Sequence, residues 1–166
     1  MKINTITTHH AGFTIIEIVL GIGMITTFLV ANAYYYKKIL DVSQETTRSI
    51  QSGFLLEEGV ESVKLMRDTG WAVNIATLTP GTTYYLYWTG LTWTATTTPQ
   101  LIESVFTRSF TLAPVNRDSL DNIVTSGGVL DAGTKKIVVN VQWISKGNKA
   151  TTTKSVETYM MNLFNN

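Results

Sequence analysis

The chain has 166 residues, and its 13 Lys plus Arg against 12 Asp plus Glu give a formal net charge of +1, so no global basic field draws it to nucleic acid or anionic lipid. Hydrophobic content of 44% with 10% aromatics suffices for a packed core and excludes a disordered chain. Cysteine is absent and the two histidines, His9 and His10, stand near the start, so the rest of the chain lacks the Cys and His of the common zinc sets and of a nucleophile and base pair.

Residues 1–12 are polar and carry Lys2. Gly12-Phe13-Thr14-Ile15-Ile16-Glu17 then opens an apolar run that continues to Ala33. The 21 residues from Phe13 to Ala33 can cross a hydrocarbon core of about 30 Å at about 1.5 Å per residue, and Glu17 is the one charge among them. An ordinary secretory signal has a shorter apolar core of about 7 to 15 residues and is cut after it. Here the run is longer, and the glycine precedes it. The arrangement resembles the prepilin signal of type IV pilins and type II secretion pseudopilins: a short polar leader, Gly at the cut, Phe as the new first residue, and Glu four positions on.

That resemblance implies cleavage between Gly12 and Phe13 by a prepilin peptidase on the cytoplasmic side, then N-methylation of the new Phe13 amine, which stays positively charged. Gly12 suits the role physically, because a peptidase can approach an extended backbone that carries no Cβ. Cleavage before the apolar run would keep that run in the product. It would leave 154 residues, 166 less 12, without His9, His10 or Lys2, and hence 12 cations against 12 anions.

Glu17 needs a partner, since a carboxylate at the centre of a bilayer helix costs about 2.5 to 3.5 kcal/mol on insertion scales. It lies four residues from Phe13, on the same helical face and about 6 Å along the axis. Two pairings follow: with the Phe13 amine of its own chain, or with that of a neighbour. A bland alternative is that the side chain snorkels into the headgroups. In the pilin family the corresponding Glu is thought to recruit the next subunit, so the resemblance implies an assembly contact at Glu17.

Tyr34-Tyr35-Tyr36 and Lys37-Lys38 follow as an aromatic and cationic collar of the kind found at membrane interfaces. These two lysines against Lys2 run counter to the positive-inside bias, and the processing signature is given precedence over charge counting. Helix-compatible sequence continues without proline. Ile39, Val42, Ile50, Phe54, Leu56, Val60, Val63 and Met66 recur at close to three-and-four spacing, which predicts an amphipathic continuation with a buried stripe. A helix from Thr14 to Asp68 would extend about 80 Å. Gly70 is expected to cap it in the left-handed conformation, with Glu57, Glu58 and Glu61 facing Lys64 and Arg67.

After Trp71 the pattern changes to strands. Residues 82–88 and 91–96 read as a hairpin about Thr89-Gly90, closed by Pro99. Residues 102–113 place Phe106, Phe110 and Leu112 on one face with Arg108 among them, and residues 136–145 alternate Ile137, Val139, Val141 and Trp143 against Val138, Asn140 and Gln142. A turn at Lys146-Gly147-Asn148 leads to a last strand within 150–164, where Val156, Thr158 and Met160 oppose Tyr159, Met161 and Leu163. An antiparallel meander results, its apolar face expected on the helical stripe.

Residues 116–133 read as a surface loop. Asp118, Asp121 and Asp131 there raise the question of calcium, which loops of some pseudopilins bind, but the spacing is not an EF-hand and lacks its closing Glu, so no metal is expected. Gly127-Gly128 lacks the rest of a phosphate loop and reads as a turn. Tyr84, Tyr85, Tyr87, Trp88 and Trp93 could stack sugars or single-stranded DNA, though their alternation favours core packing or subunit contacts.

The expected fold class is α+β and pilin-like: one long N-terminal helix whose first half is transmembrane and whose second half packs on a C-terminal antiparallel sheet. The expected division is 1–12 leader, 13–33 transmembrane and filament-core helix, 34–69 amphipathic continuation, and 70–166 sheet. Residues 57–68, Thr134-Lys135-Lys136 and Val139 to Trp143 also resemble pilin-like proteins of the minor type. Without Cys, the disulfide-closed loop of many major pilins cannot form. Proline occurs only at Pro80, Pro99 and Pro114, so the helix-kinking proline common in major pilins is missing too.

The function implied is that of a non-enzymatic filament subunit, a minor pilin or pseudopilin, with no cofactor. Its expected partners are the prepilin peptidase, other pilin or pseudopilin subunits, an inner-membrane assembly platform and, before assembly, the lipid bilayer. Direct contact with nucleic acid is not expected. The expected location is the inner membrane and then an extracytoplasmic or cell-surface filament. A membrane-anchored extracytoplasmic binding module that never polymerises is the rival from a different class.

Overall fold

The computed structural model of the protein describes residues 12–146 and 149–164. The expected leader through Ala11 and the expected turn glycine and asparagine, Gly147 and Asn148, lie outside the described residues. The chain divides into two compact units, Met1–Ser43 and Gln44–Asn166. One helix, α1 (Ile15–Thr69), contributes to both, as a proline-free stretch of 55 residues permits.

The turn that ends α1 differs from the expected left-handed cap. Gly70 is extended, with φ 164, and leads directly into the short helix α2 (Trp71–Asn74). The carbonyl of Met66 is satisfied instead by the Gly70 N–H at 3.3 Å and by the Asn74 side-chain amide at 3.0 Å.

Seven strands follow: β1 (Tyr84–Trp88), β2 (Trp93–Thr96), β3 (Leu101–Ile102), β4 (Phe106–Arg117), β5 (Ile123–Val124), β6 (Val129–Ile144) and β7 (Thr151–Met161). They form one antiparallel sheet of order β2-β1-β4-β6-β7, with β3 and β5 also paired to β4. The hairpin of aromatic residues is present, its register Trp88↔Trp93 placing the turn at 89–92. Because β1 lies beside β4 and β4 beside β6, the order is not a simple meander.

Alternation decides which side chains meet the helix. Phe106, Arg108, Phe110 and Leu112 point to one face of β4, and across the ladder Arg108 pairs with Val141, Phe110 with Val139 and Leu112 with Ile137. All seven are buried. Burying each such large apolar side chain contributes about 1.5 to 3 kcal/mol. Val63 and Met66 of α1 join Phe110, Ile137 and Val139 in the main core, while Phe106, Val141 and Trp143 form a second cluster against Leu55 and Leu56.

The helix stripe follows the expected one at Val63 and Met66, with Leu56 and Val60 packed against the same core, and departs from it elsewhere. The buried positions of α1 are Ser52, Gly59, Ser62, Val63 and Met66, whereas Ile39, Val42, Ile50 and Phe54 are exposed. Small side chains bring the helix close to the sheet, and at Gly59 an added Cβ would stand 2.7 Å from Val139 Cγ1. Of the expected surface pairs, Lys64 and Glu61 meet at 2.6 Å, but Glu58 turns to Arg108 and Arg67 to Asp68.

Residues 116–133 are a loop only in part, at 118–122 and 125–128. β4 and β6 run on through them to Arg117↔Val129, and β5 adds a short third strand there. The partner of Pro114 is Lys135 and that of Val115 is Asp131, so residues 132–134 bulge out where proline offers no N–H to the ladder. At the free edge, β7 turns Lys154 inward, where its ammonium donates to Ser49 O at 2.9 Å and to Ser49 Oγ at 2.7 Å.

Candidate functional site

The first unit is an apolar helix bare of protein cover. Phe13 is 80% exposed, and Ile15, Ile16, Leu20, Ile25, Phe28 and Val30 are exposed with it. Over its most apolar 18 residues α1 has a mean hydropathy of 2.0 with none of that window buried, so it is long and apolar enough to cross a membrane near the N-terminus. Its few polar side chains fold back on the helix. Thr26 donates to Ile22 O at 2.7 Å, Thr27 to Gly23 O at 2.9 Å and Asn32 to Phe28 O at 2.8 Å, so these donors are satisfied without water.

Gly12, Phe13 and Glu17 lie together at the head of this helix. Among the described residues nothing stands within 4 Å of a Cβ placed on Gly12. Glu17 has a partner that the sequence reading did not weigh. Thr14 precedes the first helical residue, its backbone N–H lies 3.4 Å from Glu17 Oε2, and the Glu17 N–H lies 3.4 Å from Thr14 Oγ1. This is a capping box, Thr-x-x-Glu, in which two orphan donors of the helix start are met reciprocally. The signal was legible in Thr14-Ile15-Ile16-Glu17.

In the second unit the charged residues are largely committed to the fold. Arg108 is 4% exposed; it pairs with Glu58 Oε2 at 2.7 Å and lies 5.2 Å over the Trp93 ring. Its N–H also reaches Leu55 O at 3.4 Å. Trp143 donates its indole N–H to Glu45 Oε1 at 2.9 Å. These pairs join α1 to the sheet, and sequence reasoning missed both because their partners are 50 and 98 residues apart.

Of the three aspartates, the carboxylates of Asp118 and Asp131 are held within the fold, whereas that of Asp121 is largely exposed. Asp118 Oδ1 accepts the backbone N–H of Leu120 and of Asn122, each at 2.9 Å, and the Asn122 N–H groups hold its carboxyl below the usual range. Asp131 takes Arg117 Nε at 2.7 Å and the Gly133 N–H at 2.9 Å; the hydrogen bond from Arg117 is the main cause of its lowered pKa. Arg117 also donates to Asp121 O at 2.8 Å and is pushed up by Asp131. Among the described residues no three of His, Cys, Asp and Glu converge.

The aromatic group divides. Tyr84 packs on Phe110 with centroids 5.8 Å apart and its hydroxyl accepts the Thr79 N–H, Trp88 lies tilted against Trp93 at 5.4 Å, and Tyr87 and Trp88 remain half exposed. No continuous stacking face results from these contacts. No family model, curated protein or solved structure matches the chain.

Proposed function

We propose that the chain is a structural subunit, a minor pilin or pseudopilin, of a type IV pilus-like or type II secretion filament. A prepilin peptidase cuts it between Gly12 and Phe13 and methylates the Phe13 amine. The apolar part of α1 then passes from lipid to a sheath of sister helices, drawn by an inner-membrane assembly platform. Glu17 meets the freed amine of a neighbouring subunit at that step.

One observation carries this reading: α1 is bare of its own chain where it is apolar and clothed by its own sheet further on. A surface that apolar requires a second cover, first acyl chains and then other copies. Mass spectrometry of protein extracted from membranes with active prepilin peptidase tests the first step. A chain beginning at methylated Phe13 is expected; an intact leader refutes the proposal.

The capping box favours a second reading, that of a membrane-anchored extracytoplasmic module that does not polymerise, because Glu17 already has a partner in Thr14. Glu17→Ala separates the two. The filament reading expects a protein that inserts and folds yet is missing from sheared filaments. Normal incorporation of that variant leaves the anchored module standing.

A further inference from the structure

Two features at opposite ends of the β4–β6 ladder are unused by the filament reading. At one end, where Thr107 pairs with Gln142 and Ile144 with Thr151, a cavity of about 360 Å³ opens. That volume lies within the range of about 300 to 1,000 Å³ typical of ligand clefts. Arg48, Leu101, Ser104, Val105, Gln142 and Ile144 line it. Arg48 gives one N–H to Ile144 O at 2.7 Å, most of its donors remain, and among the described residues it makes no ion pair.

The rim of this cavity is strained. Glu103 and Ser104 both have left-handed backbones, φ 50 and 57, and close the β3–β4 turn through Val105 N–H to Ile102 O at 3.0 Å. Two successive non-glycine residues in that region cost about 1 to 2 kcal/mol each. Strain of this kind is held in place by the surrounding fold and clusters at sites of contact. Leu101 and Ile144 stand open to solvent beside it.

At the other end the ladder stops at Arg117↔Val129, ten residues along β4 from Thr107 and so about 33 Å away. Beyond it, the Asp118 carboxylate pins the backbone of Leu120 and Asn122, and Asp121 between them is left-handed with φ 68. This turn presents Leu120, 80% exposed, and the Asp121 carboxylate, 86% exposed, side by side. Arg117 lies 3.6 Å from Asp121 but is already held by Asp131 at 2.7 Å.

An apolar tip with an anion thus sits at one end, and at the other an apolar-rimmed cavity with a cation that makes no ion pair among the described residues. They are too far apart to meet within one copy. We propose that the Leu120-Asp121 apex of one copy seats in the Arg48 cavity of a second copy of this chain, Leu120 against Leu101 and Ile144, and Asp121 against Arg48. Such a contact is head-to-tail: each added copy leaves one apex and one cavity unfilled, so association continues until a ring closes or a chain grows. Both surfaces are set by hydrogen-bonded turns, so little ordering is needed on contact. The inference concerns residues 44–166 and goes beyond the role proposed for Glu17.

The chain has no cysteine, so introduced thiols report without background. The experiment places Leu120→Cys and Leu101→Cys in the full chain in detergent micelles and treats it with a short bismaleimide. The double variant is expected to give a ladder of dimers, trimers and higher products, while each single variant stays monomeric. Asp121→Arg in the double-cysteine chain should reduce the ladder about five-fold, as for a partly exposed charge pair, and adding Arg48→Glu should restore it. The contact is overturned if the double variant yields no ladder, if a single variant gives cross-linked dimers, or if charge reversal leaves the products unchanged. Filaments without products sink this contact and spare the filament reading; products from a chain that never forms filaments do the reverse.

Discussion

At Gly59 α1 approaches the sheet closely, and replacing it with Ala sets two known effects against each other. Alanine favours the helix by about 1 kcal/mol relative to glycine. Against this, the new methyl would stand 2.7 Å from Val139 Cγ1 and 3.1 Å from Arg108 Cδ, both on buried side chains that cannot move outward freely. Overpacking of that kind costs about 1 to 3 kcal/mol, so the net change is a loss of about 1 kcal/mol. Gly53 is the control. It lies on the same helix with nothing within 4 Å of a Cβ, and Gly53→Ala should gain about 1 kcal/mol. The two variants should differ by about 2 kcal/mol, or about 8 °C in melting temperature for a unit of this size. Thermal unfolding of the full chain in detergent, followed by near-ultraviolet circular dichroism of Trp93 and Trp143, measures the gap. If Gly59→Ala melts at or above Gly53→Ala, the close packing of helix on sheet is wrong.

Acid should loosen the apex of the β4–β6 ladder. The pKa of Asp131 is lowered in the fold, chiefly by Arg117, so its contribution is complete above the unfolded value of about 3.9 and is lost as pH falls through the folded value. Melting curves taken from neutral pH downward should show a smaller acid loss for Asp131→Asn than for the parent; equal losses would remove Asp131 from the account. Glu58→Gln should destabilise by about 1 to 2 kcal/mol, less than for a fully buried pair because Glu58 is half exposed. Adding Arg108→Met to Glu58→Gln should recover part of that loss, and a double-mutant cycle by denaturant unfolding that shows no coupling would refute the pair.

The strands were legible because alternation in β4 and β6 marks one face with Phe106, Phe110, Leu112, Ile137, Val139 and Val141, and the sheet buries that face. The helix was legible as a helix, and its contact surface in part: Leu56, Val60, Val63 and Met66 of the apolar stripe do pack on the sheet. A search for large apolar residues also selects Ile50 and Phe54, which are exposed, and passes over Ser52, Gly59 and Ser62, whose small size allows the close approach. The Asp- and Gly-rich stretch 116–133 resembled a loop by composition because its aspartates serve turns and Arg117 inside a strand pair. At the head of α1, Gly12, Phe13 and Glu17 were found from their order along the chain, while the role of Thr14 required noticing the cap spacing. The cross-chain pairs of Arg108 with Glu58 and of Trp143 with Glu45 leave no local trace.

The inward lysine of β7 bears on how this molecule crowds. An eleven-residue outer strand with open amides is a template for lateral zippering between copies. Lys154, drawn under the sheet by Ser49, puts a charge behind that margin which a second margin laid alongside would have to desolvate. Pairing flank to flank through this margin is thereby disfavoured.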